Sequence, residues 1–203
     1  MRSQNAKYTH MYDPRFSHSR GNLPHVDPGE YTQFITFRLA DSMPQDVLEK
    51  WRSELNRGEI TDAAFRRRIE IYLDENYGSR WFTDPRIASI VQDALLNLDG
   101  KRYKLIAWVI MPNHVHILIR SLPGHPISEI MQTLKSFTSH EANKILGRKG
   151  SFWSKEYFDR YIRNARHFQA TVRYIEENPV KARLCIKPEE WKFSSAYHRR
   201  DLP

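Results

Sequence analysis

The sequence predicts a chain of both strands and helices with an antiparallel strand pair, and two observations carry that prediction. Strand-like alternating segments at residues 31–40, 103–111 and 114–120 are separated by stretches with helical apolar spacing. Pro112-Asn113 is too short a connection for a crossover, so the two strands that flank it pair antiparallel.

In chain order, residues 1–29 are rich in His, Pro, Ser, Gly and Arg without apolar period, and read as a loosely ordered arm. Residues 31–40 set Ile35, Phe37 and Leu39 against Thr36 and Arg38, a strand period of two. Pro44 opens a helix through Leu48, Trp51 and Leu55, which Gly58 breaks. Thr61-Asp62 caps a second helix through Phe65, Ile69, Tyr72 and Leu73. Asp84-Pro85 opens a third through Ile87, Ile90, Val91, Ala94, Leu95 and Leu98, stopped at Gly100. Residues 103–111 are apolar on both faces, with Leu105, Ala107 and Val109 opposing Ile106, Trp108 and Ile110, as in a central strand. Ile127, Ile130, Met131, Leu134 and Phe137 mark a further helix ending at Gly147, and a last one spans about residues 165–178, before Pro179.

Composition narrows the function. The chain of 203 residues carries 32 Lys+Arg against 24 Asp+Glu, a formal charge of +8. Residues 1–100 hold 13 basic against 15 acidic side chains, and residues 101–203 hold 19 against 9, so the positive charge belongs to the second part. A basic surface there fits a polyanionic partner such as nucleic acid. No apolar run is long enough to span a bilayer, and the single Cys185 fits a reducing cytoplasm. No phosphate-cradling G-x-x-x-x-G-K-[ST] loop is present.

The pair His114 and His116 carries the chemistry. Residues i and i+2 of a strand share a face, roughly 6.5–7 Å apart along the backbone, so both imidazoles can reach one metal ion. That is half a metal site. On the last helix, Phe168, Val172 and Ile175 form the apolar stripe, while Tyr174 and Asn178 lie together on another face, one turn apart. Lys155, Arg160 and Arg163 alternate with Trp153, Tyr157, Phe158 and Tyr161, a mix that can hold phosphates and stack unpaired bases. Lys135 lies off the apolar stripe of its helix, and Arg66-Arg67-Arg68 reads as a solvated helix face. Tyr157 and Tyr161 are rival nucleophiles, but neither has an Asn or Gln four residues on.

Four segments, in order and spacing, carry a resemblance: Ala107–His116 (AWVIMPNHVH), Phe152–Arg163 (FWSKEYFDRYIR), Tyr174–Lys181 (YIEENPVK) and Trp191–Ser195 (WKFSS). The chain resembles the single-tyrosine His-hydrophobic-His transposases, most closely the REP-associated tyrosine transposases, over roughly residues 30–197. The resemblance implies one α+β domain, residues 30–203, with a central antiparallel, ferredoxin-like or RRM-like sheet carrying the histidines. Residues 44–100 are then a helical elaboration after the first strand that stays clear of the chemistry. It implies His114, His116 and Asn178 as metal ligands, Tyr174 as nucleophile, and Lys135, Lys155, Arg160, Arg163 and Lys181 as DNA contacts. The implied cofactor is Mg²⁺ or Mn²⁺, with Mn²⁺ the better match to two imidazoles and one amide oxygen. The implied reaction is cleavage and rejoining of single-stranded or hairpin DNA at palindromic repeats through a 5′-phosphotyrosine, with cation and basic residues favouring the phenolate. The implied setting is a bacterial, nucleoid-associated cytoplasmic protein with no membrane partner, as a monomer or homodimer. Two other readings are a non-catalytic hairpin-binding protein that keeps the fold, and a metal hydrolase using water.

Overall fold

The computed structural model describes residues 17–19, 24–26 and 31–199. Most of the expected N-terminal arm lies outside the described residues. Two short strands within it, β1 (Ser17–Ser19) and β2 (Pro24–Val26), pair antiparallel.

The main sheet has four strands: β3 (Thr32–Leu39), β4 (Tyr103–Ile110), β5 (His114–Ser121) and β6 (Trp153–Tyr161). Their order is β4-β5-β3-β6, every neighbour antiparallel. Two crossovers and one tight hairpin produce that order, which is the ferredoxin-like arrangement the resemblance implied. Helices α1 (Gln45–Asn56), α2 (Asp62–Asp74) and α3 (Pro85–Leu98) lie between β3 and β4. Helix α4 (Ile127–Ile145) links β5 to β6; α5 (Ala165–Lys181) and the short α6 (Ser195–Arg199) follow. The expected caps are present. The Thr61 hydroxyl accepts from Ala64 N (3.2 Å), Asp84 accepts from Arg86 N (2.9 Å), and Asn164 accepts from His167 N (2.8 Å).

Alternation divides the strands between two faces. Ile35, Phe37, Leu39, Val115, Ile117 and Ile119 join α3 and α4 in the larger core, with Ile87, Val91, Leu95, Ile130 and Leu134 buried against them. Each such aliphatic side chain contributes about 1.5–3 kcal/mol on burial. On the other face, Phe34, Val109 and Leu118 pack with Ile175 of α5. Beside them, α1 and α2 close a small core of Met43, Leu48, Phe65, Ile69 and Leu73, which Phe158 of β6 joins. The histidines belong to this second face, between α5 and α2.

Three sequence expectations need correction. Alternation along β4 breaks at a bulge between Leu105 and Ala107. The inserted residue reverses the parity, so Leu105 packs with Trp108 and Ile110, and Ile106 sides with Ala107 and Val109. Helix α5 does not stop at Asn178 but runs through Pro179 to Lys181. Pro179 removes one intrahelical donor, yet Ala182 N still bonds to Asn178 O (2.9 Å) and Leu184 N to Pro179 O (2.8 Å). The aromatic-basic segment, given no element from sequence, is edge strand β6. Its mixed composition hides a strand whose core contribution is chiefly Trp153, the indole donating to Thr138 Oγ1 at 2.9 Å. At the opposite edge, Ile110 N donates to Phe193 O (2.9 Å) and the Trp191 indole to Ile110 O (2.9 Å), so the C-terminal segment covers β4.

Candidate metal centre and nucleophile

His114 and His116 follow the Pro112-Asn113 turn and point to one face of β5, fully buried. Their Nε2 atoms are 3.1 Å apart. Two ligands at right angles, each about 2.1 Å from an ion, stand about 3.0 Å apart, so the spacing suits one shared cation. Both rings are oriented from behind. His114 Nδ1 donates to Asn113 Oδ1 (2.7 Å), and Asn113 Nδ2 donates to the Tyr77 carbonyl (2.9 Å). This leaves His114 Nε2 as a lone pair facing inward. His116 Nδ1 meets Thr36 Oγ1 at 2.7 Å across the β3–β5 ladder. A hydroxyl can donate or accept. Without a cation, His116 Nε2–H donates to His114; when Nε2 is needed as a ligand, Thr36 accepts from Nδ1–H instead. Such partners fix tautomer and ring plane.

Burial keeps both imidazoles neutral, the state that ligates. His114 is pushed down to about 3 by burial, and His116 falls well below its usual value through burial, then through the nearness of His114 and Arg160.

Helix α5 brings in the other predicted groups. The Tyr174 ring lies 5.5 Å from the His116 ring and 5.9 Å, edge-on, from Phe34, which itself stacks on His116 at 5.3 Å. Asn178 is wholly buried, which the helical wheel did not anticipate. The face carrying Tyr174 and Asn178 turns toward the end of α2 rather than toward solvent. Asn178 approaches both Asp74 and Tyr174 closely enough to lower their pKa values, yet neither of its amide atoms meets hydrogen-bond geometry.

Asp74 is the residue the sequence reading missed. It ends α2, inside the elaboration expected to stay clear of the chemistry, and its Oδ1 lies 3.7 Å from His114 Nε2. Ligand atoms of Asp74, His114 and His116 all fall within 4.8 Å of one another. The insertion over residues 44–100, expected to stay clear of the chemistry, thus brings a carboxylate against the imidazole pair. The available signal was Glu70 and Asp74, two carboxylates one turn apart beside the Phe65-Ile69-Leu73 stripe. Nothing local in the sequence says which strand that helix end meets.

Four buried polar atoms at this place have no hydrogen-bond partner among the described residues: Asp74 Oδ1, the Tyr174 hydroxyl, and Asn178 Oδ1 and Nδ2. Orphaned oxygens beside two inward-facing imidazole nitrogens are a donor set that could hold a divalent cation. The Tyr174 hydroxyl is pushed upward, by burial first and then by Glu70 and Asp74; Arg160 and Asn178 oppose this. The expected bias toward phenolate is thus reversed by the protein alone, because burial, and after it the two carboxylates, disfavour the charged ring. Asp74 is raised to about 7, chiefly by burial, with Glu70 adding and Asn178 and Lys181 opposing.

The five predicted DNA contacts separate. Arg160 sits at the site, its guanidinium 4.7 Å over Phe34 and 3.8 Å from Glu70, with Nε unpartnered. Lys181 holds its ammonium 5.3 Å over the Tyr174 ring and pairs with Glu177 at 3.3 Å. Lys155 and Arg163 are exposed, the latter 6.0 Å from the Tyr161 ring. Lys135 instead donates to the Ser154 and Lys155 carbonyls (2.7 and 2.9 Å), pinning edge strand β6 to α4. A cleft lined by Phe34, Thr36, Arg66, Glu70, Phe158 and Arg160 opens beside the histidines. Tyr157 packs with the α3–α4 core and Tyr161 shares its strand parity, so both rivals of Tyr174 belong to the wrong face.

The family described as "Transposase IS200 like" matches residues 71–178, which takes in Asp74, His114, His116, Tyr174 and Asn178. A curated relative from Escherichia coli (strain K12), named REP-associated tyrosine transposase, is 30% identical over 113 residues. That span is 54% of this chain and 64% of the relative, just under two thirds of its length. A solved structure titled "Structure of the REP associates tyrosine transposase bound to a REP hairpin" superimposes with a TM-score of 0.61 at 19% identity. It covers 90% of this chain and 87% of that one, a likeness of fold.

Proposed function

The chain belongs to the IS200-like transposases, and from that premise we propose that it cleaves and rejoins single-stranded DNA at the foot of a hairpin through a covalent bond to Tyr174. The observation that carries this reading is the meeting of α5 with β5: a tyrosine ring 5.5 Å from the imidazole of an inward-facing histidine pair. The named relative and the hairpin-bound structure support hairpin DNA of the REP type as substrate.

His114, His116 and the Asn178 amide oxygen would hold Mg²⁺ or Mn²⁺. A divalent cation there supplies Lewis-acid withdrawal of charge from the scissile phosphate. The chain's own residues do the rest. Thr36 and Asn113 hold the planes of the two imidazoles, so loading would ask of His116 a change of tautomer rather than of ring position. Arg160, with an unpartnered Nε beside Tyr174, is placed to receive a phosphate oxygen and to offset the field of Glu70 and Asp74 on the phenol. Tyr174 Oη forms the new bond to phosphorus as the bond to the 3′-oxygen breaks, leaving a 5′-phosphotyrosine and a 3′-hydroxyl. The phenol loses one proton and the leaving oxygen gains one, so the step is balanced without ATP. A second 3′-hydroxyl can then attack the phosphotyrosyl link and rejoin the strand. Lys155, Arg163 and Lys181 lie outside the buried cluster, where they would hold the backbone on either side, and binding should fall steeply with salt.

Hairpin oligonucleotides labelled at the 5′ or 3′ end, incubated with the protein and Mn²⁺ and run on a denaturing gel, test this. The expected result is a protein-linked 3′-labelled fragment and a free 5′-labelled one. Binding without any adduct would mark a non-catalytic hairpin binder, and free fragments of both kinds without adduct would mark hydrolysis by water.

A further inference from the structure

We propose that Asp74 is a protein ligand of the divalent cation, so that the helical insertion between β3 and β4 supplies part of the metal centre. This rests on the reading of His114 and His116 as ligands of that cation. Asp74 Oδ1 stands 3.7 Å from His114 Nε2, within the 4.8 Å that encloses all three ligand atoms. The same oxygen is buried without a hydrogen-bond partner among the described residues. A carboxylate oxygen removed from water and left unpartnered is unfavourable unless another group compensates.

The residue's place on its helix does not by itself call for an acid. Asp74 is the last residue of α2, where the helix dipole presents its negative end, and an acidic side chain is disfavoured there. The packing nevertheless aims it inward. Ile69 and Leu73 are buried at 2% and 0% exposure and fix the rotation of the last turn. Glu70, one turn earlier, is directed elsewhere, to Arg160 at 3.8 Å. The two carboxylates therefore have separate partners, and Glu70 is an internal control.

The chemistry of the set also shifts. Two imidazoles alone lean toward Zn²⁺. A carboxylate and an amide oxygen add hard donors and move the preference toward Mn²⁺ and Mg²⁺. Loading the cation then ties α2 to β5, linking the position of the insertion to the state of the centre.

The test uses the full chain and Mn²⁺ alone, without DNA. Free Mn²⁺ is followed by electron paramagnetic resonance, and thermal melts are recorded with and without the metal, for wild type, Asp74→Asn, Asp74→Ala, Glu70→Gln and His116→Ala. Both Asp74 variants should bind Mn²⁺ at least tenfold more weakly and lose most of the metal-induced rise in Tm. Their melts without metal should be no lower than wild type, and Glu70→Gln should bind within threefold of wild type. If Asp74→Ala fails to fold, the near-isosteric Asp74→Asn decides alone. Asp74 variants within threefold of wild type, with His116→Ala losing Mn²⁺, would overturn the ligand assignment and leave the histidine centre standing. A tenfold loss in Glu70→Gln would also overturn it, because the effect would then be one of field rather than ligation. Unchanged affinity in His116→Ala would remove the cation from this cluster altogether.

Discussion

Replacing Tyr174 by Phe separates the chemical role of its oxygen from the packing role of its ring. The ring's contacts are with Phe34 (5.9 Å), His116 (5.5 Å) and the Lys181 ammonium (5.3 Å), and none needs the hydroxyl. The hydroxyl itself is buried and meets no hydrogen-bond partner among the described residues. An unsatisfied buried hydroxyl costs about 1–3 kcal/mol, so its removal should leave stability unchanged or raise it by about 1 kcal/mol, well short of the losses typical of core substitutions. Urea unfolding followed by fluorescence measures that term. Hairpin binding, held by groups outside the phenol, should stay within about twofold, while the covalent adduct falls below detection because Tyr174 is, among the described residues, the tyrosine whose ring lies against the imidazole pair. Adduct yield equal to wild type would refute the nucleophile. A stability loss above about 2 kcal/mol would show that the oxygen is a structural group with partners that matter to the fold.

Two further outcomes follow from the packing. Gly78 has φ of +76°, and a Cβ there would lie 2.3 Å from the Asp41 carbonyl oxygen, backbone against backbone. Gly78→Ala should destabilise by about 3 kcal/mol or more, since the left-handed region alone costs roughly 1–2 kcal/mol and the clash adds to it. Gly58→Ala, at φ +72° with open space around it, should lose only the first part; equal losses in urea melts would contradict this. Lys135 is held down at about 8 by burial, with repulsion from Arg38 adding. The unfolded chain therefore binds more protons between pH 8 and about 10.5, so this group makes stability rise with pH across that window. Lys135→Met should flatten that part of the stability curve relative to wild type, and an identical slope in both proteins would count against the buried ammonium.

Much of the chemistry was legible because it is local. The two-residue period of a strand is enough to put His114 and His116 on one face, and the helical turn is enough to put Tyr174 beside Asn178. Thr61, Asp84 and Gly100 likewise mark helix ends through bonds made within a few residues. Strand β6 was illegible because an edge strand buries little, and Trp153-Ser154-Lys155-Glu156 carries no clear apolar alternation. The β4 bulge was illegible because bulges arise from pairing with a neighbour, and its neighbour, β5, follows in the chain.

The sequence by itself determined the helix caps, the antiparallel hairpin, the imidazole pair and the tyrosine–asparagine face, since each depends on backbone geometry within about one turn or one strand. Only the tertiary structure decided which helix end faces the imidazoles, why Asn178 is buried, and the sign of the field on the phenol. Those depend on Asp74 and Glu70 arriving from a helix 40 residues before the histidine strand and about 100 before Tyr174, and packing across such separations is fixed by the assembled core rather than by any local pattern.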